Sequence, residues 1–143
     1  MPFQTSLLPF VLILVSSLPR QGQEGEREKL VRTEASALLD VLRAGRWNEA
    51  VSFVSLDDVT RSRMEIPAGA SEEAIRSRVR VWFEGLYGGM KPGPVASVRI
   101  DPEDPDLARV IYRHGDFDGF HMRFVGGRWL YTLDWKPRDQ RNR

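Results

Sequence analysis

The chain has 143 residues, of which 41% are hydrophobic and 10% aromatic, enough for one domain with a buried core and too few for two comfortable domains. Its 21 Lys and Arg residues are balanced by 20 Asp and Glu residues, which excludes a whole-chain field that would attract nucleic acid or an anionic membrane. The lack of cysteine excludes disulfides, so stability must come from the core.

An apolar run, LLPFVLILVSSL, occupies Leu7–Leu18 and gives way to polar residues from Arg20 onward. This pattern is typical of a secretory signal, and the run is shorter than the about 20 residues of an ordinary membrane span. We therefore expect residues 1–22 to be a signal peptide and the mature protein to be periplasmic or extracellular. Because no Lys or Arg precedes the run, an uncleaved membrane anchor and a wrongly chosen start codon remain the alternatives.

Two helices are predicted after this segment. Between Glu26 and Arg43 apolar residues recur every three or four positions, which predicts an amphipathic helix that ends at Gly45. Its apolar positions are Leu30, Val31, Ala35, Leu38, Leu39 and Leu42. The segment Trp47–Val54 predicts a second, short helix. That helix would bury Trp47, Ala50, Val51 and Val54.

A third helix is predicted after a loop. No period is visible from Leu56 to Ala70, where Pro67 indicates a break. Ser71 is then a good N-cap, and the helix should stop near Gly88-Gly89. Its apolar stripe consists of Ile75, Val79, Trp82, Phe83 and Leu86.

The second half of the chain predicts four strands. Alternation predicts the first at Val95–Ile100, a turn at residues 101–106 and the second at Leu107–Arg113. The clearest signal is the hairpin Phe120–Trp135, because Gly126-Gly127 suits a two-residue turn at positive φ. Counting outward from the glycines pairs Phe124 with Trp129, Met122 with Tyr131, Phe120 with Leu133, and Asp118 with Trp135.

Two loops could join the second and third strands. A five-residue loop, His114–Asp118, puts Ala108, Val110 and Tyr112 on the apolar face of the hairpin, whereas the shorter Gly115-Asp116 loop puts Arg109 there. We favour the longer loop for that reason.

This order of elements predicts one α+β domain at residues 23–136, in which N-terminal helices pack on one face of a curved four-stranded antiparallel sheet. The order is α-α-α-β-β-β-β. The basic residues 137–143 lack an apolar anchor, which predicts a disordered tail.

Two segments, LLDVLRAGRWNEAVSFVS and GGRWLYTLDW, carry a family resemblance. Over about Leu30–Trp135 the chain resembles the nuclear-transport-factor-2-like superfamily, the cone-shaped cystatin-like fold that includes ketosteroid isomerase and the SnoaL-like proteins. That superfamily mixes enzymes, binding modules and scaffolds, so the resemblance implies a fold far more than an activity. Within that superfamily, the chain is similar to exported members of unassigned role.

The resemblance implies that the cone between helices and sheet holds a small apolar ligand. The candidates to line it are Leu38, Trp47, Phe53, Met64, Trp82, Phe83, Tyr112, Phe120, Met122, Tyr131 and Trp135. The alternative for each of these residues is that its side chain simply packs in the hydrophobic core. Tyr112 and Tyr131 are the better candidates for ligand contact, because buried hydroxyls need partners.

The opposite sheet face is basic and partly apolar, and the resemblance implies a homodimer through it, with solvent exposure as the alternative. Its residues are Arg109, Ile111, Arg113, His121, Arg123, Leu130 and Thr132. Nucleic acid is not an expected partner of this face, because the chain has no basic field. A membrane partner is expected only through an uncleaved N-terminal segment.

Catalytic residues of ketosteroid isomerase have no counterparts at the matching positions. Leu38 stands where that family supplies a tyrosine, and Ser62, Arg63 and Met64 stand where its aspartate falls. No cofactor or metal is expected, since there are two histidines and no cysteines, and Asp101–Asp106 lacks the glycine and glutamate of an EF-hand. The sequence thus predicts a non-enzymatic domain that binds a small apolar ligand or a protein partner. A hydrolase, dehydratase or isomerase with a non-standard site in the same pocket is the alternative.

Overall fold

The computed structural model of the protein describes residues 25–114 and 117–136, and in this part of the chain helices precede a four-stranded antiparallel sheet. The predicted α+β class is therefore confirmed. The predicted signal segment 1–22 and tail 137–143 lie outside the described residues.

Helix α1 spans Glu26–Arg43, as predicted, and ends in a hydrogen-bonded turn. Gly45 has a φ of 69°, and its N–H donates to the Leu42 carbonyl at 3.1 Å, while the Arg46 N–H donates to the Val41 carbonyl at 3.0 Å. This pair of bonds satisfies carbonyls that the helix end leaves open. Leu30, predicted to lie on the apolar stripe, is 58% exposed because the buried stripe runs through its neighbour Val31.

The second predicted helix exists as a 3-10 helix at Trp47–Phe53, which buries Ala50 and leaves Trp47 half-exposed. A further helix, α2 at Asp58–Arg63, lies in the region for which the sequence predicted only a loop. Asp57 caps it by accepting the Thr60 N–H at 2.8 Å. Six residues are too few to show a helical period, so only the cap signals this helix in the sequence.

Helix α3 spans Glu72–Tyr87, and Ser71 caps it by accepting the Ala74 N–H at 3.1 Å, as predicted. Between α2 and α3, Glu65 has a φ of 58°. Its N–H donates to the Ser62 carbonyl, which is the bond that Gly45 makes at the end of α1. A non-glycine residue in this left-handed conformation is strained.

The sheet has the order β1-β2-β3-β4, and its strands are consecutive in the chain. Their bounds are β1 Val95–Ile100, β2 Leu107–His114, β3 Phe117–Val125 and β4 Arg128–Thr132. In the hairpin of β3 and β4 the predicted pairs Phe124 with Trp129 and Met122 with Tyr131 are confirmed. The face that carries Val110, Met122 and Tyr131 packs under the helices in one hydrophobic core.

The preferred five-residue loop between β2 and β3 is wrong, because His114 pairs with Phe117 as in the shorter alternative. The predicted faces nevertheless hold, since Val110 lies opposite Phe120 and Arg109 opposite His121. A shift of register between Ile111 and His114 reconciles the two observations. The extra residue of this bulge returns the apolar side chains to the inner face.

Strand β4 ends at Thr132, so the predicted pairs of Phe120 with Leu133 and Asp118 with Trp135 do not form. The Leu133 N–H donates instead to the Thr60 hydroxyl at 2.9 Å, and the Asp134 N–H donates to the Thr132 hydroxyl at 3.0 Å. The Thr132 hydroxyl thus takes the Asp134 N–H that a longer strand would have turned toward β3, while the Thr60 hydroxyl takes the Leu133 N–H on the outer edge of β4.

At each edge of the sheet another part of the chain forms hydrogen bonds with the edge strand. On the β1 edge, the Arg32 guanidinium donates to the carbonyls of Val95 and Ala96 at 2.9 and 3.4 Å. On the β4 edge, Val54 bridges to Tyr131, whose carbonyl accepts the Ser55 N–H at 2.8 Å.

Candidate functional site

A cavity of about 260 Å³ lies beyond the end of β4, between α3 and the first residues of β3. It exists there because β4 stops at Thr132, which leaves Gly119 and Phe120 without partners on that side. The lining residues are Trp82, Leu86, Tyr87, Gly119, Phe120, His121, Tyr131, Thr132, Leu133 and Trp135. The cavity is therefore the part of the cone that the core leaves open.

Aromatic rings form most of its wall. The Tyr131 ring packs edge-on against Phe83, with centroids 4.9 Å apart, and lies tilted against Phe120, with centroids 5.4 Å apart. The Trp82 indole N–H donates to the Tyr131 hydroxyl at 3.1 Å, which ties α3 to β4 across the cavity. The Trp135 ring lies under the Arg63 guanidinium, 4.0 Å from the ring centroid. This contact is a cation–π interaction that holds the ring against α2.

The hydroxyl groups near the cavity are neutral at ordinary pH. Burial raises the pKa of Tyr131, and the nearby Tyr87 raises it further. Burial likewise raises the pKa of Tyr87 and brings the pKa of Tyr112 to about 12, and these two hydroxyls are hydrogen-bonded to each other. The cavity thus offers apolar walls with a few uncharged donors, an arrangement common in sites for small molecules.

The predicted pocket residues divide into three groups. Trp82, Phe120, Tyr131 and Trp135 line the cavity. The core takes up Leu38, Met64, Phe83, Tyr112 and Met122, which are buried and fill the middle of the cone. Phe53 lines an open groove between the 3-10 helix and α3, and Trp47 lines a neighbouring depression beside Gly45. These last two residues lie outside the cavity.

Several residues that line the cavity are not among the pocket residues that the sequence predicts. Tyr87 follows Val79 and Phe83 at intervals of four on the buried face of α3, so its position was available from the spacing. The sequence predicts that Thr132 and Leu133 continue the last strand, and they line the cavity because β4 ends early. The sequence predicts His121 on the outer face, and the side chain borders both that face and the cavity.

The outer face of the sheet is narrower than the sequence suggested. Arg123, expected on that surface, is buried: its Nη1 lies 3.1 Å from the Asp104 carboxylate, and its Nη2 donates to the Asp134 and Lys136 carbonyls. Thr132 is buried as well. The residues that remain on the face are Arg109 and Arg113, which are exposed, and Ile111, His121 and Leu130, which are half-buried. A homodimer through this face stays a prediction.

The polar cluster behind the cavity has a positioning role. The Asp57 carboxylate accepts hydrogen bonds from the Thr60 N–H and the Thr132 hydroxyl, both at 2.8 Å, and from the Ser55 hydroxyl at 3.1 Å. Burial would raise the pKa of Asp57, but these hydrogen bonds outweigh it and lower the pKa. A carboxylate held in its charged form by such donors is a poor general base, so we assign it to fixing the end of β4.

Within residues 25–114 and 117–136, no three His, Asp or Glu side chains come together in a way that could hold a metal ion. No helix in the same ranges is long and apolar enough to cross a membrane. The chain matches no protein-family model, no curated protein and no solved structure.

Proposed function

We propose that this domain binds a small apolar molecule in the cavity at the end of β4. The observation that carries the proposal is the aromatic-walled space of about 260 Å³ that a tightly packed core leaves open beside Trp82 and Trp135. Its volume is slightly below that of ordinary ligand pockets, which span about 300–1,000 Å³. The expected ligand therefore has one or two rings, or an aliphatic chain of similar volume.

The affinity expected from such a cavity is modest. A ligand that buries about 250 Å² of apolar surface gains about 6 kcal/mol at about 25 cal/mol per Å². That free energy corresponds to a dissociation constant of about 40 µM, before the costs of association weaken it. The Tyr131 hydroxyl adds a polar group that orients the ligand, because the Trp82 N–H donates to its oxygen and the Tyr131 O–H remains a donor.

Ligand-observed NMR with naphthalene as the probe tests the proposal. Leu86 lines the cavity from α3, so Leu86→Phe should fill it and abolish binding. Ile75→Phe is the matched control, because Ile75 is a half-buried residue of the same helix outside the cavity. Absence of binding to the unaltered protein would refute the proposal, as would equal binding by Leu86→Phe.

We also propose that the chain is exported and belongs to the nuclear-transport-factor-2-like superfamily. Export is supported by the apolar run Leu7–Leu18, and the superfamily by the order of helices and strands and the cavity between them. Intact mass after expression in the native host tests export. Cleavage should remove about the first 17 to 22 residues, and an uncleaved chain would contradict it.

A further inference from the structure

A row of basic side chains crosses the outer face of the sheet. Arg99 of β1 lies opposite Arg109 of β2, and Arg109 lies opposite His121 of β3. Cβ atoms of directly opposed residues in antiparallel strands are about 4.5–5.5 Å apart, so both guanidinium groups can reach the same point above the sheet. Like charges in this arrangement repel each other, and a counter-ion between them would stabilise the pair.

The row lies in a depression of about 240 Å³, distinct from the aromatic cavity although His121 borders both. Its lining residues are Arg99, Asp101, Pro102, Leu107, Ala108, Arg109 and His121. A concave site matters here because it excludes part of the solvent and strengthens a charge interaction relative to a flat surface.

The carboxylates near the row leave it partly uncompensated. Asp118 pairs with Arg109 at 3.1 Å, but the Asp118 side chain is 79% exposed, so it can be displaced at little cost. Asp101 also lines the depression and its charge offsets part of the row, but its Oδ1 atom is bound within its own turn, where it accepts the N–H groups of Glu103 and Asp104 at 2.8 and 3.2 Å. Within the described part of the chain, no ion pair within 4.0 Å joins Arg99 to a carboxylate.

We propose that this depression binds a doubly charged tetrahedral oxyanion, the phosphate or sulfate group of a small molecule, between Arg99 and Arg109. Guanidinium groups present paired N–H donors that match such oxyanions bidentately. Two opposed arginines favour a dianion over a monoanion, since each guanidinium then faces a full negative charge. His121 supplies a third donor at the far end of the row.

The groups that face His121 give the site a pH dependence. Burial lowers the pKa of His121, Arg109 and Arg123 lower it further, and Asp101 opposes them. The Trp135 ring lies 6.4 Å from the imidazole, and Asp118 is held near this part of the face by its ion pair with Arg109. A bound dianion stabilises the imidazolium, so binding should strengthen as the pH falls through the range in which His121 takes up its proton.

NMR titration with sodium sulfate, against sodium chloride at equal ionic strength, tests the site. Sulfate is the preferred probe because it stays doubly charged over the pH range in which phosphate titrates. Arg99→Gln should weaken sulfate binding about tenfold, the loss expected for a hydrogen bond between charged groups. Asp118→Asn should tighten binding severalfold, because it removes the competing carboxylate of Arg109.

Arg113→Gln is the matched control. Arg113 is an exposed arginine of the same strand, four residues from Arg109 and thus about 13 Å away along the strand, beyond the Debye length of about 8 Å at physiological salt. Its substitution should change the sulfate affinity less than twofold. Urea unfolding of each variant verifies that the fold is retained.

The outcomes separate a site from general screening. Equal shifts with chloride and sulfate, an unchanged affinity in Arg99→Gln, or equal losses in Arg99→Gln and Arg113→Gln would each overturn the proposal. Comparison of inorganic phosphate with phenyl phosphate distinguishes the sources of the oxyanion. Tighter binding of the ester supports a phosphorylated small molecule, and equal binding supports the free ion.

Discussion

Replacement of Gly119 by alanine should strongly destabilise the protein. Gly119 lies opposite Ile111 at the bulge between β2 and β3. A methyl group on Gly119 would lie 2.1 Å from the Val110 carbonyl oxygen. Contacts between a Cβ atom and another heavy atom are essentially never shorter than 3.0 Å. The two strands would therefore have to move apart by roughly 1 Å, since the obstacle is backbone and cannot rotate away.

The size of the effect follows from what this movement disrupts. Overpacking in a well-packed structure costs about 1–3 kcal/mol, and each weakened backbone hydrogen bond about 1 kcal/mol. The smaller entropy of alanine in the unfolded chain returns about 0.4–1 kcal/mol. We expect a net loss of about 2 kcal/mol, which lowers the urea midpoint by roughly 1–2 M at a slope of about 1–2 kcal/mol/M.

Gly85→Ala is the control for this experiment. Gly85 lies in α3, and a methyl group there meets nothing within 4 Å. The same substitution should therefore raise stability by about 0.5–1 kcal/mol, because alanine favours the helix. A Gly119→Ala midpoint at or above that of the unaltered protein would refute the reasoning, and so would equal losses in both variants.

Three further changes test other parts of the fold by urea unfolding. Glu65→Gly should raise the unfolding free energy by about 0.5–1 kcal/mol, because it relieves a φ of 58°, and a decrease would contradict the strain. Asp57→Asn should cost about 1–2 kcal/mol near pH 7. Because folding lowers the pKa of Asp57, the contribution of this carboxylate to the unfolding free energy is complete above about pH 4. It is lost as the pH falls through the pKa of Asp57 in the folded protein. A deficit that persisted at lower pH would exclude that linkage. Asp104→Ala should cost about 3–5 kcal/mol, because it leaves the buried Arg123 guanidinium without its carboxylate. Joint replacement of Asp104 and Arg123 by leucine and methionine should cost less than Asp104→Ala alone, and an equal or larger loss would show that the ion pair is not what matters.

Local signals made much of the fold predictable. Gly45 and Ser71 mark helix ends through bonds to residues at most four positions away, so α1 and α3 could be bounded from the sequence. The Gly126-Gly127 turn set the register of β3 and β4 in the same way. In each case the determining contact lies within one element or one turn.

Distant contacts account for the features that the sequence did not reveal. Just past the end of β4, the Leu133 N–H donates to Thr60, 73 positions earlier in the chain. Arg123 is buried together with Asp104, to which it donates a hydrogen bond. The alternation of the strand alone predicts an outward-facing Arg123, because it carries no information about this partner. For the same reason the cavity could not be predicted from the sequence. It opens where β4 stops, and no motif among its lining residues marks that position.

The contact of Arg32 with the edge of β1 also bears on how the protein behaves at high concentration. An uncovered edge strand presents carbonyls to which another chain can add, which is a route to cross-β aggregation. By donating to Val95 and Ala96, Arg32 occupies two of these acceptors with a charged side chain. Arg32→Ala should therefore aggregate faster on mild heating than the unaltered protein at similar stability, which turbidity would record; equal rates would show that this edge needs no protection.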